Sequence, residues 1–133
     1  MAITKNAGVH KTACKIVEIG FADLVAGTDT AAIDLPPGAV VLSGSHAYTT
    51  EAWNSTSTDT LDVGDAASQN RYLNDGNIRA LAANVPLVPT GFSHTGGSLT
   101  VKWNSGGGTP TTGALRVVIH YAQLGNATTT YEV

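Results

Sequence analysis

A chain of 133 residues with a net charge of −3 and only 13% charged side chains is one domain, long enough to bury roughly two-thirds of the surface its unfolded form exposes. Seven cationic side chains against ten acidic ones leave no basic stripe for nucleic acid, and no segment approaches the ~20 apolar residues that cross a bilayer. Thr, Ser, Asn and Gly must furnish much of the polar surface, and another protein covers such a face at lower desolvation cost than a Lys/Glu face.

Lys5, Lys11 and Lys15 stand in a stretch without an acid, leaving four of the seven bases and all ten acids to the rest of the chain. A basic arm (residues 1–13) on an acidic domain (residues 14–133) is the expected division. The opening "MAITKNAGVHKTACK" has no continuous apolar run, so it does not read as a secretory signal, and the chain is expected in a reducing cytoplasm. Cys14, the only cysteine, rules out a disulfide within the chain and is expected as a buried small hydrophobe.

Period-two alternation then dominates. "CKIVEIGF" aligns Val17, Ile19 and Phe21 on one face, with Cys14, Ile16 and Glu18 opposite. "IDLPPG" ends in a turn that launches "AVVLSGSHAYTTEAW", too long for one flat strand. Gly44 is expected to bend it from one sheet into another. "TLDVGD" is a short strand, and "GDAASQNRYLNDGNIRALAAN" is the one helix-permissive stretch. Asp65 or Ser68 is placed to cap a turn there, Asp75-Gly76 is a hairpin signal, and "IRALAAN" is expected to form a helical turn or two. "LVPTGFS" is held to an edge or turn by Pro89. "SLTVKWNS" aligns Leu99, Val101 and Trp103. "GALRVVIHYAQLG" aligns Leu115, Val117, Ile119 and Tyr121 against Ala114, Arg116, Val118, His120 and Ala122. Short strands between Gly/Pro/Asn clusters predict an all-β fold, an antiparallel β-sandwich of jelly-roll type.

Chemistry is sparse. His10, His46, His94 and His120 form no metal-ligand spacing, so no metal or cofactor is expected. Ser-His neighbours in "SGSH" and "GFSH" point to opposite faces of a strand and make poor catalytic partners. Asp59, Asp62 and Asp65 miss the spacing of a calcium loop. Only Glu18, Glu51 and Glu132 are glutamates, without a pairing that favours a glycosidase. Trp53, which precedes polar "NSTSTD", is the best single candidate for an exposed contact residue, and with Tyr48 it would suit a sugar.

The succession "DLPPGAVVLSGS", "NSTSTDTLDVGD" with "RYL", "LVPTGFS" and "LTVKWNSGGGTPTTGALRVVIHYA" resembles small structural proteins of tailed bacteriophages, of the capsid decoration (cement) kind, over about residues 30–123. The resemblance implies a non-enzymatic β-rich virion protein, often trimeric, that binds the major capsid protein on the outer surface of the shell and stabilises it after assembly in the host cytoplasm. No family site residues carry over, because the shared phrases are turns and strands. Beside it, the arm residues Ile3, Lys5, Val9 and Lys11, together with Trp53, are the expected partner contacts. The alternative is a tail, neck or fibre component whose sandwich binds a host glycan through Trp53 and Tyr48.

Overall fold

The computed structural model describes residues 11–123. Its strands are β1 (Lys11–Gly20), β2 (Asp29–Leu35), β3 (Ala39–Val41), β4 (His46–Glu51), β5 (Asp59–Asp65), β6 (Leu73–Asn77), β7 (Asn84–Pro86), β8 (Gly97–Ser105) and β9 (Ala114–Gln123), with one 3-10 turn at Phe21–Asp23. They form two antiparallel sheets, packed face to face as an all-β sandwich. The first runs β1-β9-β4-β7 with β3 also on β9, and the second runs β2-β8-β5-β6.

The alternation read from the sequence sets the layers. Leu115, Val117, Ile119 and Tyr121 of β9 face Leu99, Val101 and Trp103 of β8 through one core that also holds Leu61, Val63 and Ile33. Each such large side chain removed from water contributes about 1.5–3 kcal/mol. β9 is the spine of the first sheet. β1 pairs along its whole length, from Lys11 opposite Gln123 to Gly20 opposite Ala114, while β3 and β4 share its other side.

Several expectations change on this frame. β1 starts at Lys11, so residues 11–13 of the expected arm lie within the sheet. Gly44 sits in a break between β3 and β4, but both strands stay on β9 and nothing passes to the second sheet. Ser45 bridges that break. Its hydroxyl lies 2.9 Å from the Leu42 carbonyl and accepts the His120 N–H at 2.9 Å. Asp75-Gly76 is no hairpin tip; it lies inside β6, where the register against β5 shifts and Asp75 takes φ 52°. The helix-permissive stretch forms no helix. The Asp65 carboxylate caps a single turn by accepting the N–H groups of Ala67 and Ser68 at 3.0 and 2.8 Å, and the chain then returns to β6. Cys14 is exposed on the outer face of β1, because no layer among the described residues covers that side.

Trp53 is buried, 3% exposed. The chain after β4 folds inward, and the Trp53 ring lies against Trp103 with centroids 4.9 Å apart. That position depends on Gly113, whose φ is 142° and whose Cβ, were there one, would stand 2.5 Å from Trp53 Cδ2. Glycine alone lets the indole lie on the backbone there.

Candidate functional site

The outer face of the first sheet carries an exposed apolar side chain on a regular strand, whereas the other exposed large apolar residues, Val25, Leu81, Val88 and Phe92, lie in loops. Register places Thr12, Ala122 and Val40 in one row, Cys14 and His120 in the next, Ile16, Val118 and His46 in a third, and Glu18, Arg116 and Tyr48 in a fourth. Ile16 is 59% exposed, whereas Val118 beside it is buried by its flanking neighbours. An open groove of about 460 Å³ lies along this face between β1 and the β3–β4 break, lined by Cys14, Leu42, Gly44 and His120 among others. The His46 Nδ1 lies 2.8 Å from the Gly44 carbonyl, which can only accept, so Nδ1 carries the proton. The charge on this face is self-contained: Arg116 reaches Glu18 at 2.8 Å across the β1–β9 pair.

The outer face of the second sheet is of another kind. Thr60, Asp62, Asn104 and Asp75 form a hydrogen-bonded carpet in which Asp62 accepts the Asp75 N–H at 2.7 Å and an Asn104 amide hydrogen at 3.3 Å. Asp59 and Asp65 do not join Asp62 there. Asp59 and Asp65 alternate inward with Leu61 and Val63, opposite Ser105 and Leu99, while Asp62 stands outward opposite Lys102. The three aspartates that invite comparison with a calcium loop therefore do not converge.

Two buried polar clusters brace the ends of β5. Asp59 accepts hydrogen bonds from Trp103 Nε1 at 3.0 Å, from Arg79 Nη1 at 3.1 Å and from the Ser55 hydroxyl. Arg79 also donates to the Ser55 carbonyl at 2.8 Å, tying the segments on either side of β5. At the other end, Asp65 takes a 2.6 Å ion pair from Arg71, whose guanidinium lies 3.7 Å over the Phe92 ring. The Tyr72 hydroxyl meets His94 Nε2 at 2.5 Å, and His94 Nδ1 stands 4.0 Å from Asp65.

The ionisation states follow from these contacts. Burial pushes the Asp65 carboxyl up, but the Arg71 hydrogen bond and charge and the two backbone N–H groups together outweigh it and hold the group below its ordinary value. Burial lowers His94, which is neutral at pH 7, and it raises Tyr72. Tyr72, His94 and Asp65 resemble a proton relay in residue type, but all three are buried. Their polar atoms are spent on one another and on the loops they hold, so the cluster acts as a clamp. Its members are scattered from 65 to 94, and no spacing in the sequence announces it.

Ile3, Lys5 and Val9 lie outside the described residues, and Lys11 begins β1 opposite Gln123. Trp53 belongs to the core, so it forms no exposed groove with Tyr48, which is half-buried on the outer face of the first sheet. Sequence reasoning missed Ile16, although its position on the mixed face of an alternating strand was the available signal.

No family model matches the chain, and no curated protein matches it. The fold itself recurs in solved structures. A chain of the cyanophage Pam1 capsid asymmetric unit superposes with a TM-score of 0.68 at 23% identity, covering 93% of this chain and 92% of that one. A chain of the acidic stable capsid structure of Helicobacter pylori bacteriophage KHP30 gives a TM-score of 0.59 at 21% identity, covering 84% of this chain and 90% of that one. The chain thus has a fold found in phage capsid structures over nearly its full length.

Proposed function

We propose that the protein is a non-enzymatic structural component of a phage virion that binds the outer surface of the capsid shell and cements it as a homo-oligomer. The observation that carries this reading is the near-complete overlay on a chain from a phage capsid structure, 93% of one chain on 92% of the other. The surface chemistry supports it. A capsid-binding domain needs a rigid body and a face that gives up water cheaply. The first sheet offers that face, with Ile16 exposed, its one flanking ion pair internally satisfied, and hydroxyl, thiol and imidazole groups making up the rest.

In this reading the outer face of the first sheet meets the major capsid protein, and the preceding segment with Ile3, Lys5 and Val9 reaches a neighbouring subunit. An oligomer that bridges several capsid subunits makes every contact after its first effectively intramolecular, so modest interfaces become durable. No bond is made or broken. The buried Asp65–His94–Tyr72 cluster supports that view, since its polar atoms satisfy each other under cover. The burial of Trp53 removes the shared Trp53–Tyr48 groove on which a glycan-binding tail or fibre component would rely.

Electron microscopy of the phage particle tests the proposal. The expected result is density of this fold on the outside of the shell, with particles lacking the chain releasing their DNA at lower temperature. Density confined to the tail, or purified virions that lack the chain, would overturn it.

A further inference from the structure

We propose that the free edge of β1 is a self-pairing edge: two copies of the chain join β1 to β1 antiparallel about a two-fold axis, with Ile16 opposite the partner's Ile16. The inference stands apart from capsid binding and is measured on the isolated protein.

Hydrogen-bond parity defines the edge. On β9, His120 turns its backbone toward the β3–β4 side, since its N–H reaches the Ser45 hydroxyl and its carbonyl accepts the Leu42 N–H at 2.8 Å. Residues 119 and 121 therefore bond to β1, and the Phe21 N–H to Gly113 carbonyl bond of 2.9 Å continues the same phase. In β1 it follows that Ala13, Lys15, Val17 and Ile19 bond inward to β9. Thr12, Cys14, Ile16 and Glu18 aim their N–H and C=O groups off the sheet, and no other described strand takes them. A regular, unpaired edge of ten residues is a template for another strand.

The other edges are blunted. β2 has a register shift between Ala31 and Ile33 and carries Asp29 and Asp34. β6 holds Asp75 at φ 52°. β3 and β7 are three residues each, and β7 ends in Pro86. Among the described edge strands, β1 alone matches β1 in length and regularity, which makes a second copy the fitting occupant.

Parity and charge then select the register. Residues that point off the edge must face each other, so a two-fold pairing that uses the whole strand is centred on residue 15 or residue 16. Centring on 15 sets Lys15 against the partner's Lys15, a repulsive cross-strand pair. Centring on 16 sets Ile16 against Ile16, Cys14 against Glu18 and Lys15 against Val17, with no like charges opposed. It also sets Ile16, the most exposed large apolar residue of the first sheet, beside its own copy, covering its flank while the outer face stays open. Below the edge, an open cleft of about 180 Å³ between β1 and β2, lined by Val17, Ile19, Leu24 and Val101, adds apolar surface beside the joint.

Sedimentation of the full chain with three variants tests this. Ile16→Pro removes only an N–H that points off the edge, and Ile16→Lys opposes two cations. Either is expected to halve the mass of the associated species, with circular dichroism and melting showing that the domain remains folded. A mass unchanged by both overturns the proposal. The third variant, Ile16→Cys in a Cys14→Ser background, keeps the test independent of those substitutions. It is expected to form a disulfide-linked dimer in air, because opposed residues have Cα atoms ~5.5 Å apart. The wild-type Cys14 is expected to stay unlinked, being four residues out of register with the partner's Cys14, about 14 Å along the strand. Failure of Ile16→Cys to cross-link, as would follow if residues 1–10 of the same chain covered the edge, also overturns it.

Discussion

The two sheets divide the work differently. The second holds the charge of β5 inside: Asp59 and Asp65 are buried at opposite ends of that strand, each held by an arginine from a neighbouring loop. Its outer face is closed by its own Asp62–Asp75–Asn104 hydrogen bonds. The first sheet buries only the uncharged Ser45 and Thr49 among its polar residues, and it turns Ile16 and a free strand edge outward. Irregularity and buried charge make the second sheet a specified, rigid body, while regularity makes the first one sticky. If that division is real, substitutions in the second sheet should cost folding, and substitutions on the first should cost association.

The largest effect is expected at Asp59. Asp59→Ala leaves the Arg79 guanidinium, the Trp103 indole N–H and the Ser55 hydroxyl without their acceptor. The indole and the hydroxyl are buried, and each buried donor left unsatisfied costs about 1–3 kcal/mol, while the Arg79 side chain, 36% exposed, regains water. The denaturant midpoint should fall accordingly with little change in slope. A loss below 1 kcal/mol would mean that the second sheet is not braced by this cluster. Gly113→Ala comes next. The added methyl would meet the Trp53 ring at 2.5 Å in a backbone region that disfavours alanine, a cost of about 1–3 kcal/mol for the overpacking, with Trp53 fluorescence reporting its displacement.

A third effect separates the sheets by pH. His94 has a folded pKa below its ordinary 6.5 because burial disfavours the imidazolium. The unfolded chain therefore takes up that proton first, and the stability it supplies is complete above pH 6.5 and declines as pH falls below it. Asp65 has a folded pKa below 3.8, so its contribution persists to lower pH and is lost as pH falls from 3.8 through the folded value. Both act in the same direction, and acid loosens the clamp that joins β5 to the Phe92–His94 loop. His94→Gln should flatten the melting temperature between pH 7 and pH 5 relative to wild type. An equal slope in the two proteins would remove His94 as the cause.

How much of this was legible beforehand differs by element. β8 and β9 were readable because one buried face and one wetter face impose strict alternation, as Leu99-Val101-Trp103 and Leu115-Val117-Ile119-Tyr121 show. The region 66–83 was not. Its Ala, Gln and Leu content permits helix, but the loops are fastened by Asp65, Arg71 and His94, which meet only after β5, β6 and the segment before β8 are in place. Trp53 misled because its burial depends on the missing side chain of Gly113, sixty residues away in sequence. Cys14 misled in the opposite sense. An apolar run reads as covered on both faces, whereas the outer face of an isolated sandwich is open. What a sandwich leaves uncovered for a partner looks, in sequence, like core.

The smallest folding effect is expected where the association effect is greatest. Ile16 is 59% exposed and makes no side-chain contribution to the core cluster, so Ile16→Ser should change stability by no more than about 0.5 kcal/mol, the range for surface positions away from special features. Glu18→Gln, which removes only the exposed ion pair with Arg116, sets a neighbouring baseline of about 0.2–1 kcal/mol. Melting curves of the two variants should then lie close to wild type. If Ile16→Ser instead unfolds the domain at a cost comparable to Asp59→Ala, the outer face of the first sheet is serving the fold, and its openness toward a partner is not what its exposed isoleucine is for. If melting is unchanged and binding to capsid shells falls at least tenfold, about 1.4 kcal/mol of attachment resides in a side chain that folding does not use. That separation of cost is the mark of a surface kept for another molecule.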